Sequence, residues 1–284
     1  MKIGIIGLGL IGGTIAKSLN KKHILSAYDV NVNALNYAIE NKIIHKAYDD
    51  LRIFLQENEI IYLCLYPNMI IEFFRDNKDL IKNGTIFIEI SGVKTSIIED
   101  VDKLGLTNMD IIYTHPIAGR EFSGVEYANE NIFKDANYVI VEHKNNLKKN
   151  VDLAKKLADE MGFKEISFIS AKEHDEIIAY TSQLTHVLSM ALVNSFGNRD
   201  IDLKKFTGDS YRDLTRIAKI NVFLWYQLFT MNKEYLLEKI TAFEKEISKF
   251  KTALIEDDVV NIVMFMAKSE YLQEKYLKGN NVWG

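Results

Sequence analysis

The stretch that decides the fold is Lys2-Ile-Gly-Ile-Ile-Gly7-Leu-Gly9-Leu-Ile-Gly12-Gly13. An apolar run over residues 2–6 leads into the glycines, and residues 10–20 then carry apolar side chains at helical spacing. A strand, a glycine-rich turn and a helix in this order are typical of a βαβ unit that binds a dinucleotide. The alternative is a glycine-rich turn with a purely structural role.

The glycines of this turn fit a pyrophosphate for separate reasons. Gly7 permits the tight turn, Gly9 lets the backbone approach the phosphates, and Gly12 lets helix and strand pack closely. The free N–H groups at the start of the helix then face the anion. The predicted cofactor contacts in the turn are Gly7, Leu8, Gly9, Leu10, Ile11 and Gly12.

Asp29 lies 22 residues after Gly7, at the end of the next apolar run. A carboxylate at this position accepts hydrogen bonds from the hydroxyls of the adenosine ribose, and it repels a 2′-phosphate. No arginine follows within the next few residues. The sequence therefore predicts NAD as the cofactor in preference to NADP, unless Asp29 is only a solvated strand end.

Working outward from the turn, the first half of the chain alternates strand and helix patterns. Apolar runs typical of strands recur at 23–28, 59–65, 85–90, 110–114, 136–141 and 166–170, and helical patterns lie at 32–41, 69–81 and 95–104. The same alternation predicts an α/β doubly wound parallel sheet of the Rossmann type. From Ala171 onward the pattern is helical throughout, over 173–198, 211–230 and 234–278. We therefore predict a nucleotide-binding domain over 1–168 and an all-helical domain over 169–284.

The composition excludes several classes of protein. The chain has 284 residues, one cysteine, two prolines and a formal net charge of −4. A single cysteine forms no internal disulfide and supplies no cysteine-based zinc cluster, so no metal site is predicted. Mild acidity gives no electrostatic case for a nucleic-acid partner. Without a targeting signal or a long apolar run, no membrane contact is predicted, and the expected location is the cytoplasm.

The two prolines follow predicted strands on the side where a doubly wound sheet binds its ligands. Pro67 comes after the run 59–65, which makes it a candidate cofactor contact, and Pro116 comes after His115. A proline holds the preceding residue extended, and Gly119 permits a turn that brings Glu121 back towards His115. His115 is therefore a candidate catalytic residue, although a histidine in such a loop is as often structural.

Polar residues also recur at helical spacing in the second half of the chain. Asp175, Ser182 and His186 are separated by seven and four residues, which places them on one face of a single α-helix. Arg212 and Arg216 are four residues apart, and arginine binds carboxylates in a bidentate manner. Solvated, salt-bridged surfaces are the alternative for both groups.

Taken together and in this order, these motifs resemble the prephenate dehydrogenase family, including its arogenate-using members. The resemblance runs from residue 1 to about residue 250. It rests on Gly7-Leu-Gly-Leu-Ile-Gly-Gly13, His115-Pro-Ile-Ala-Gly-Arg-Glu121, His174-Asp175, Ser182-Gln-Leu-Thr-His186 and Tyr211-Arg-Asp-Leu-Thr-Arg-Ile-Ala218. The second and the last of these elements are the more specific ones.

The resemblance implies roles for individual residues. His115 matches the histidine that accepts a hydrogen bond from the ring hydroxyl of prephenate. Arg216 matches the arginine that binds a substrate carboxylate, and His186 matches a histidine that lines the substrate site. The remaining implied substrate-site positions are Glu121, Gln183, Trp225 and Asp175.

Two departures from the family pattern affect the predicted site. The family's Ser-His-Leu-Pro-His is Ser182-Gln-Leu-Thr-His186 here, so its first histidine is Gln183. The family's Gly-Ser-Val-Lys is Ser91-Gly-Val-Lys94, with the serine moved back by one position. Ser91 is therefore a candidate catalytic residue only if a different turn brings it to the site.

The resemblance implies an NAD-dependent oxidative decarboxylation of prephenate to 4-hydroxyphenylpyruvate in tyrosine biosynthesis. The long amphipathic helices of the second half need a partner face, so we also predict a homodimer formed through the helical domain. An ordinary histidine pKa of about 6.5 leads us to expect that activity falls near that pH. Arogenate as the substrate, another small hydroxyacid dehydrogenase and a non-catalytic NAD-responsive protein remain the alternatives.

Overall fold

The computed structural model describes residues 1–119, 122–197 and 201–278, and within them eight β-strands form a single sheet. The strands are β1 (Lys2–Ile6), β2 (Ile24–Tyr28), β3 (Lys46–Tyr48), β4 (Ile60–Leu63), β5 (Thr85–Glu89), β6 (Met109–Ile117), β7 (Asn137–Val141) and β8 (Glu165–Ile169). Their order across the sheet is β3-β2-β1-β4-β5-β6-β7-β8. The α/β doubly wound fold predicted from the sequence is confirmed.

One feature of the sheet differs from the prediction, because β7 pairs antiparallel with β6. The strands β1 to β6 are parallel, and β7 and β8 are parallel to each other. A parallel pair needs a long crossover, usually through a helix. The described part of the connection from β6 to β7 holds only two short 3₁₀ turns, Val125–Tyr127 and Glu130–Ile132. The chain therefore returns alongside β6 in the opposite direction.

Helices cover both faces of the sheet. They are α1 (Leu10–Leu19), α2 (Val32–Glu40), α3 (Leu51–Glu57), α4 (Pro67–Asn77), α5 (Thr95–Asp102) and α6 (Lys148–Met161). In β4, Ile60 and Tyr62 pack into the core on the side of α1, α2 and α6, whereas Ile61 and Leu63 pack into the core with α3, α4 and α5. Burial on both faces explains why the central strands are continuous apolar runs.

The strand order reverses between β1 and β4, where a doubly wound sheet forms its ligand crevice. The glycine turn follows β1, and Pro67 opens α4 directly after β4. The two connections touch, because a Cβ added to Gly7 would lie 2.4 Å from the Cys64 carbonyl oxygen. Only glycine fits at that point, and its φ of +94° also lies in the region that favours glycine.

After β8 the described chain is helical. The elements are α7 (Ala171–Ile178), a π-helical segment (Ala179–Leu184), α8 (Thr185–Phe196), α9 (Asp209–Thr215), α10 (Val222–Met231), α11 (Lys233–Ile255) and α12 (Val259–Lys278). The three long predicted segments are therefore interrupted, the second of them by a 3₁₀ turn at Arg216–Ala218 and the Asn221 cap of α10.

The chain divides into two compact units, the first of which is Met1–Lys233 and the second of which begins at Glu234. The predicted division into domains over 1–168 and 169–284 stays a prediction. None of the helices in the described ranges combines the length and the apolar character that crossing a bilayer requires.

Candidate active site

The glycine turn presents backbone N–H groups to the crevice. Among the residues that the structure describes, no side chain caps the N-terminus of α1, so its first N–H groups stay available to an anion. A Cβ on Gly12 would lie 2.0 Å from the Gly7 carbonyl oxygen, whereas one on Gly9 would meet nothing within 4 Å. Gly12 thus closes the turn, and Gly9 leaves open space beside it. Leu8, Leu10 and Ile11 pack into the core, so they offer the crevice their backbone only.

Asp29 lies directly beside this turn. Its Oδ2 accepts a hydrogen bond from the Leu8 N–H at 2.5 Å, and its Oδ1 accepts one from the Asn31 N–H at 2.7 Å. A carboxylate has about four acceptor positions, so capacity remains for the two hydroxyls of a ribose. Open N–H groups, the empty space at Gly9 and the carboxylate at the end of β2 together fit a dinucleotide of the NAD type.

His115 lies within β6, not in a loop as the sequence suggested. The last residue of β6 that pairs with β5 is Tyr113, opposite Glu89. His115 lies two residues further along, where β6 pairs only with β7, opposite Val139. Pro116 is also part of β6, which ends at Ile117. The β6–β7 ladder therefore holds His115 rigidly just beyond the carboxyl end of β5.

A line of hydrogen bonds joins His115 to two residues of α7. The Nδ1 atom of His115 lies 2.9 Å from Nε2 of His174, and Nδ1 of His174 lies 2.8 Å from Oδ1 of Asp175. Asp175 also accepts the backbone N–H groups of Lys94 at 2.9 Å and Thr95 at 2.7 Å. The Asp175 carboxylate therefore caps the N-terminus of α5 and anchors the two imidazoles.

Burial sets the charge of these groups. Burial lowers the pKa of His115 well below 6.5, and the neighbouring His174 and Lys94 ammonium add to this shift. Burial also lowers the pKa of His174, against the opposing effect of Asp175. Although burial opposes ionisation of Asp175, the hydrogen bonds from His174 and Thr95 keep the pKa of its carboxyl below the usual value. The site holds two neutral imidazoles and one carboxylate at neutral pH.

A buried ion pair lies under the site. Nζ of Lys94 is 2.5 Å from Oε2 of Glu89, and neither side chain is exposed. Burial lowers the pKa of the Lys94 ammonium, although Glu89 opposes that shift. Glu89 ends β5 and also accepts the N–H of Ser91. The pair thus fixes the turn between β5 and α5.

Ser91 and Gly92 occupy different places in this turn. The Ser91 hydroxyl donates to the Val93 carbonyl at 3.0 Å. Within the described part of the chain, which includes Ser91 and His115, the two residues form no hydrogen bond with each other. A Cβ on Gly92 would lie 3.6 Å from Nε2 of His115 and 3.3 Å from Leu228 in α10. The position facing His115 is therefore the glycine, and a catalytic role for Ser91 has no geometric support.

The π-helical segment corrects the predicted common face of Asp175, Ser182 and His186. A π-helix takes more residues per turn than an α-helix, so the spacing of seven and four loses its register across Ala179–Leu184. Asp175 contacts the start of α5, whereas the His186 Nδ1–H donates to the Ser182 carbonyl at 2.8 Å. The predicted common face therefore does not continue as a uniform α-helical face across this segment.

Gln183 and Asp175 position other elements and are buried. The Gln183 amide donates to the Leu228 carbonyl at 3.0 Å and accepts from Asn232 at 2.9 Å. Asn232 also donates to the backbone carbonyl of Asp175 at 2.8 Å. These polar atoms bind protein partners, so Gln183 and Asp175 connect elements around the site, and their assignment to the substrate site stays a prediction.

His186, Trp225 and Arg216 lie on neighbouring helical elements. The rings of His186 and Trp225 have centroids 3.7 Å apart. Arg216 is exposed and begins the 3₁₀ turn Arg216–Ala218, which packs against α8. The structure thus places a histidine, an aromatic ring and an arginine in one region. Their assignment to the substrate stays a prediction.

Two other predicted positions are Pro67 and Glu121. Pro67 is the first residue of α4, and the N–H of the next residue, Asn68, donates to Gln227 of α10 at 3.0 Å. That bond joins the crevice to the helical region. Glu121 lies outside the described residues.

Sequence reasoning missed several residues that hold the site together. His174, Lys94 and Glu89 were not among the predicted site residues. The sequence does show a His174-Asp175 pair and charged residues directly after an apolar run. Glu89 ends an otherwise apolar strand, and Lys94 follows it by five residues. Nothing in the sequence around Asn232 indicates that its amide joins Asp175 to Gln183.

Comparison with known families gives two matches that together cover most of the chain. The sequence profile described as prephenate dehydrogenase, nucleotide-binding domain, matches residues 15–167 and thus more than half of the chain. The profile described as prephenate dehydrogenase, dimerization domain, matches residues 170–268. The glycine turn precedes the first matched residue, so its interpretation rests on the geometry above.

Individual relatives agree with these profiles. A prephenate dehydrogenase from Lactococcus lactis is 28% identical over 282 residues, which covers 96% of this chain and 77% of that protein. Two crystal structures share the fold. Prephenate dehydrogenase from Aquifex aeolicus, in complex with hydroxyphenyl propionate and NAD+, has a TM-score of 0.87 at 24% identity and covers 97% of this chain and 98% of that one. Synechocystis arogenate dehydrogenase has a TM-score of 0.81 at 25% identity and covers 98% and 100%.

Proposed function

The chain belongs to the prephenate dehydrogenase family, and from this premise we propose that it converts prephenate to 4-hydroxyphenylpyruvate with release of CO2 and reduction of NAD+. It is an NAD-dependent oxidoreductase of that family. The observation that carries the proposal is the placement of His115. This neutral imidazole is held in the extension of β6, at the same edge of the sheet as the glycine turn. The proposed setting is tyrosine biosynthesis in the cytoplasm.

The glycine turn and Asp29 are the groups that would hold the cofactor. The N–H groups at the start of α1 would bind the pyrophosphate, and the Asp29 carboxylate would bind the ribose hydroxyls. When bound there, NAD would supply the acceptor for the hydride that leaves the hydroxyl-bearing ring carbon of the substrate. The same carboxylate would repel the 2′-phosphate of NADP, which favours NAD.

His115 is suited to take the proton of the substrate hydroxyl. As the carbon–oxygen double bond forms, that proton passes to the neutral imidazole. The ring carboxylate then leaves as CO2, and its electron pair aromatises the ring and returns charge to the oxygen. The proton goes back from His115 to that oxygen, so the histidine ends the cycle neutral. Arg216 would fix the substrate through a carboxylate.

Arogenate is the second candidate substrate, because the Synechocystis arogenate dehydrogenase resembles this chain over almost its whole length. Arogenate differs from prephenate in carrying an amino group in place of the keto group. Initial rates of NADH formation with each substrate, at matched concentrations, distinguish the two. The proposal expects a higher kcat/KM with prephenate, and a higher value with arogenate would reassign the substrate.

The acid limb of the pH profile is expected below pH 6.5, not near it as an ordinary histidine would give. Protonated His115 accepts no proton, so activity is lost as the pH falls through its pKa. Because burial lowers that pKa well below 6.5, the active neutral form persists to more acid pH. The measurement is kcat/KM for prephenate against pH, followed by NADH absorbance. A midpoint at or above pH 6.5 would refute this expectation.

Replacing Arg216 with alanine is expected to raise the KM for prephenate by about 10–10²-fold, because charge-assisted hydrogen bonds contribute about 1.5–3 kcal/mol. The KM for NAD is expected to stay unchanged. Arg212→Ala is the matched control, since Arg212 is exposed one turn earlier and pairs with Asp209. If Arg216→Ala altered only the KM for NAD, the placement of Arg216 at the substrate would be wrong.

A homodimer formed through the helical domain is also part of the proposal. The profile that matches residues 170–268 is that of a dimerization domain. Helices α10 and α12 leave large apolar side chains exposed, among them Val222, Phe223, Tyr226, Val263 and Met264. Such apolar surface favours association with a partner. Light scattering of the purified protein is expected to give twice the mass of 32.7 kDa, and a monomer would reject the dimer.

A further inference from the structure

Two hydrogen bonds link Asp175, His174 and His115 in a line. We propose that His174 is a positioning residue that keeps the single proton of His115 on Nδ1, so that the bare Nε2 faces the substrate hydroxyl. This inference deepens the proposed function, on which its catalytic meaning rests. The inference concerns which ring nitrogen of His115 and which ring nitrogen of His174 carries the proton.

The direction of the hydrogen bonds follows from their first member. An ionised carboxylate only accepts, and Asp175 already accepts two backbone N–H groups at the start of α5. Nδ1 of His174, 2.8 Å from Oδ1, must therefore be the donor. A neutral imidazole carries one N–H, so Nε2 of His174 is an acceptor. Its partner 2.9 Å away, Nδ1 of His115, must carry the proton.

The surroundings exclude the reverse direction. If His174 were an imidazolium, its Nε2–H would donate to His115 and force the proton of His115 onto Nε2. The charged groups that face the two rings are Lys94, Glu89 and Asp175. Lys94 and Glu89 form an ion pair with each other, with Nζ and Oε2 2.5 Å apart. The side chain of His174 is 0% exposed and that of Asp175 2%. Burial and the nearby ammonium both disfavour a second positive charge there, so the pKa of His174 lies below its ordinary value.

His115 is partly exposed, and Gly92 has no side chain beside the other edge of its ring. A Cβ on Gly92 would lie 3.6 Å from Nε2 and 3.6 Å from Cε1 of His115, so glycine leaves room for a substrate atom at this edge. Among the described residues no protein group forms a hydrogen bond with that Nε2. With Nδ1 committed to His174, Nε2 is the nitrogen that remains for catalysis.

The direct test is the ¹⁵N NMR spectrum of the histidine rings in the intact protein at neutral pH, with His115 assigned by comparison with His115→Asn. The expected spectrum shows a protonated Nδ1 and an unprotonated Nε2 for His115. A protonated Nε2 in the unsubstituted protein overturns the proposal. This readout needs no substrate, so it stands apart from the proposed reaction, which fails separately if prephenate yields no NADH.

Two variants of His174 connect the tautomer to catalysis. His174→Phe keeps a buried ring but removes the acceptor, so His115 gains access to the wrong tautomer and kcat is expected to fall about 10–10²-fold with KM values unchanged. In His174→Gln the side-chain carbonyl offers an acceptor near the former Nε2, and most of the kcat and the Nδ1–H signal are expected to return. A folded His174→Phe variant with full kcat, or a Gln variant as impaired as the Phe variant, would refute the role.

Discussion

Replacing His115 with asparagine is expected to lower kcat by ~10²–10⁴-fold while the KM for NAD changes little. Asparagine places an amide close to the former Nδ1, where it can still donate to His174, 2.9 Å away in the parent protein. It has no atom at the former Nε2, so the group that takes the substrate proton is lost. The change therefore removes the chemistry and leaves most of the packing intact.

Stopped assays of NADH formation, together with NAD binding followed by fluorescence, separate the two effects. His143→Asn is the matched control, because His143 follows β7 and pairs with Asp102 at 3.3 Å, away from the line to Asp175. It is expected to retain full kcat. A His115→Asn enzyme with unimpaired kcat would remove the role assigned to His115.

Replacing Lys94 with methionine is expected to lower the free energy of unfolding by about 3–5 kcal/mol. Methionine has nearly the length of the lysine stem, so the loss does not come from a cavity. It comes from the Glu89 carboxylate, which is wholly buried and would lose the Lys94 counter-charge that lies 2.5 Å away. A buried charge without a partner costs more than the original pair contributed.

Urea denaturation measures this change, and a second substitution identifies its cause. In Lys94→Met/Glu89→Gln the charge is gone, whereas the amide oxygen still accepts the N–H of Ser91. The double variant is expected to recover most of the lost stability. If the free energy of unfolding of Lys94→Met lay within about 1 kcal/mol of the parent value, the pair would contribute no more than an exposed ion pair does, and the explanation would be wrong.

Much of the fold was predictable because its central strands are buried on both faces. Such strands appear in the sequence as short continuous apolar runs, and β1, β2, β4 and β5 lie where those runs lie. The edge strand β3 has only three residues, Lys46–Tyr48, which is too short for a pattern to register. The antiparallel return of β7 depends on the path of the β6–β7 connection, which apolar periodicity does not encode.

The site was predictable only in part. His115 and Asp29 were found because each follows an apolar run at the end where ligands bind. The partner of His115 is 59 residues away in the sequence, and no spacing rule connects the two. The face predicted for Asp175 and His186 assumed a uniform α-helix, whereas a π-helical segment lies between them. π-Helical segments are frequent at functional sites and have no simple periodic signature.

A single reaction in which two products are counted tests the proposed oxidative decarboxylation. The purified protein is incubated with NAD and with prephenate labelled in its ring carboxylate, and NADH and labelled CO2 are measured together. Both products are expected to form in equal amounts, and His115→Asn is expected to suppress both. NADH without CO2 would indicate a simple hydroxyacid dehydrogenase. A folded, NAD-binding protein that forms neither product would contradict the account.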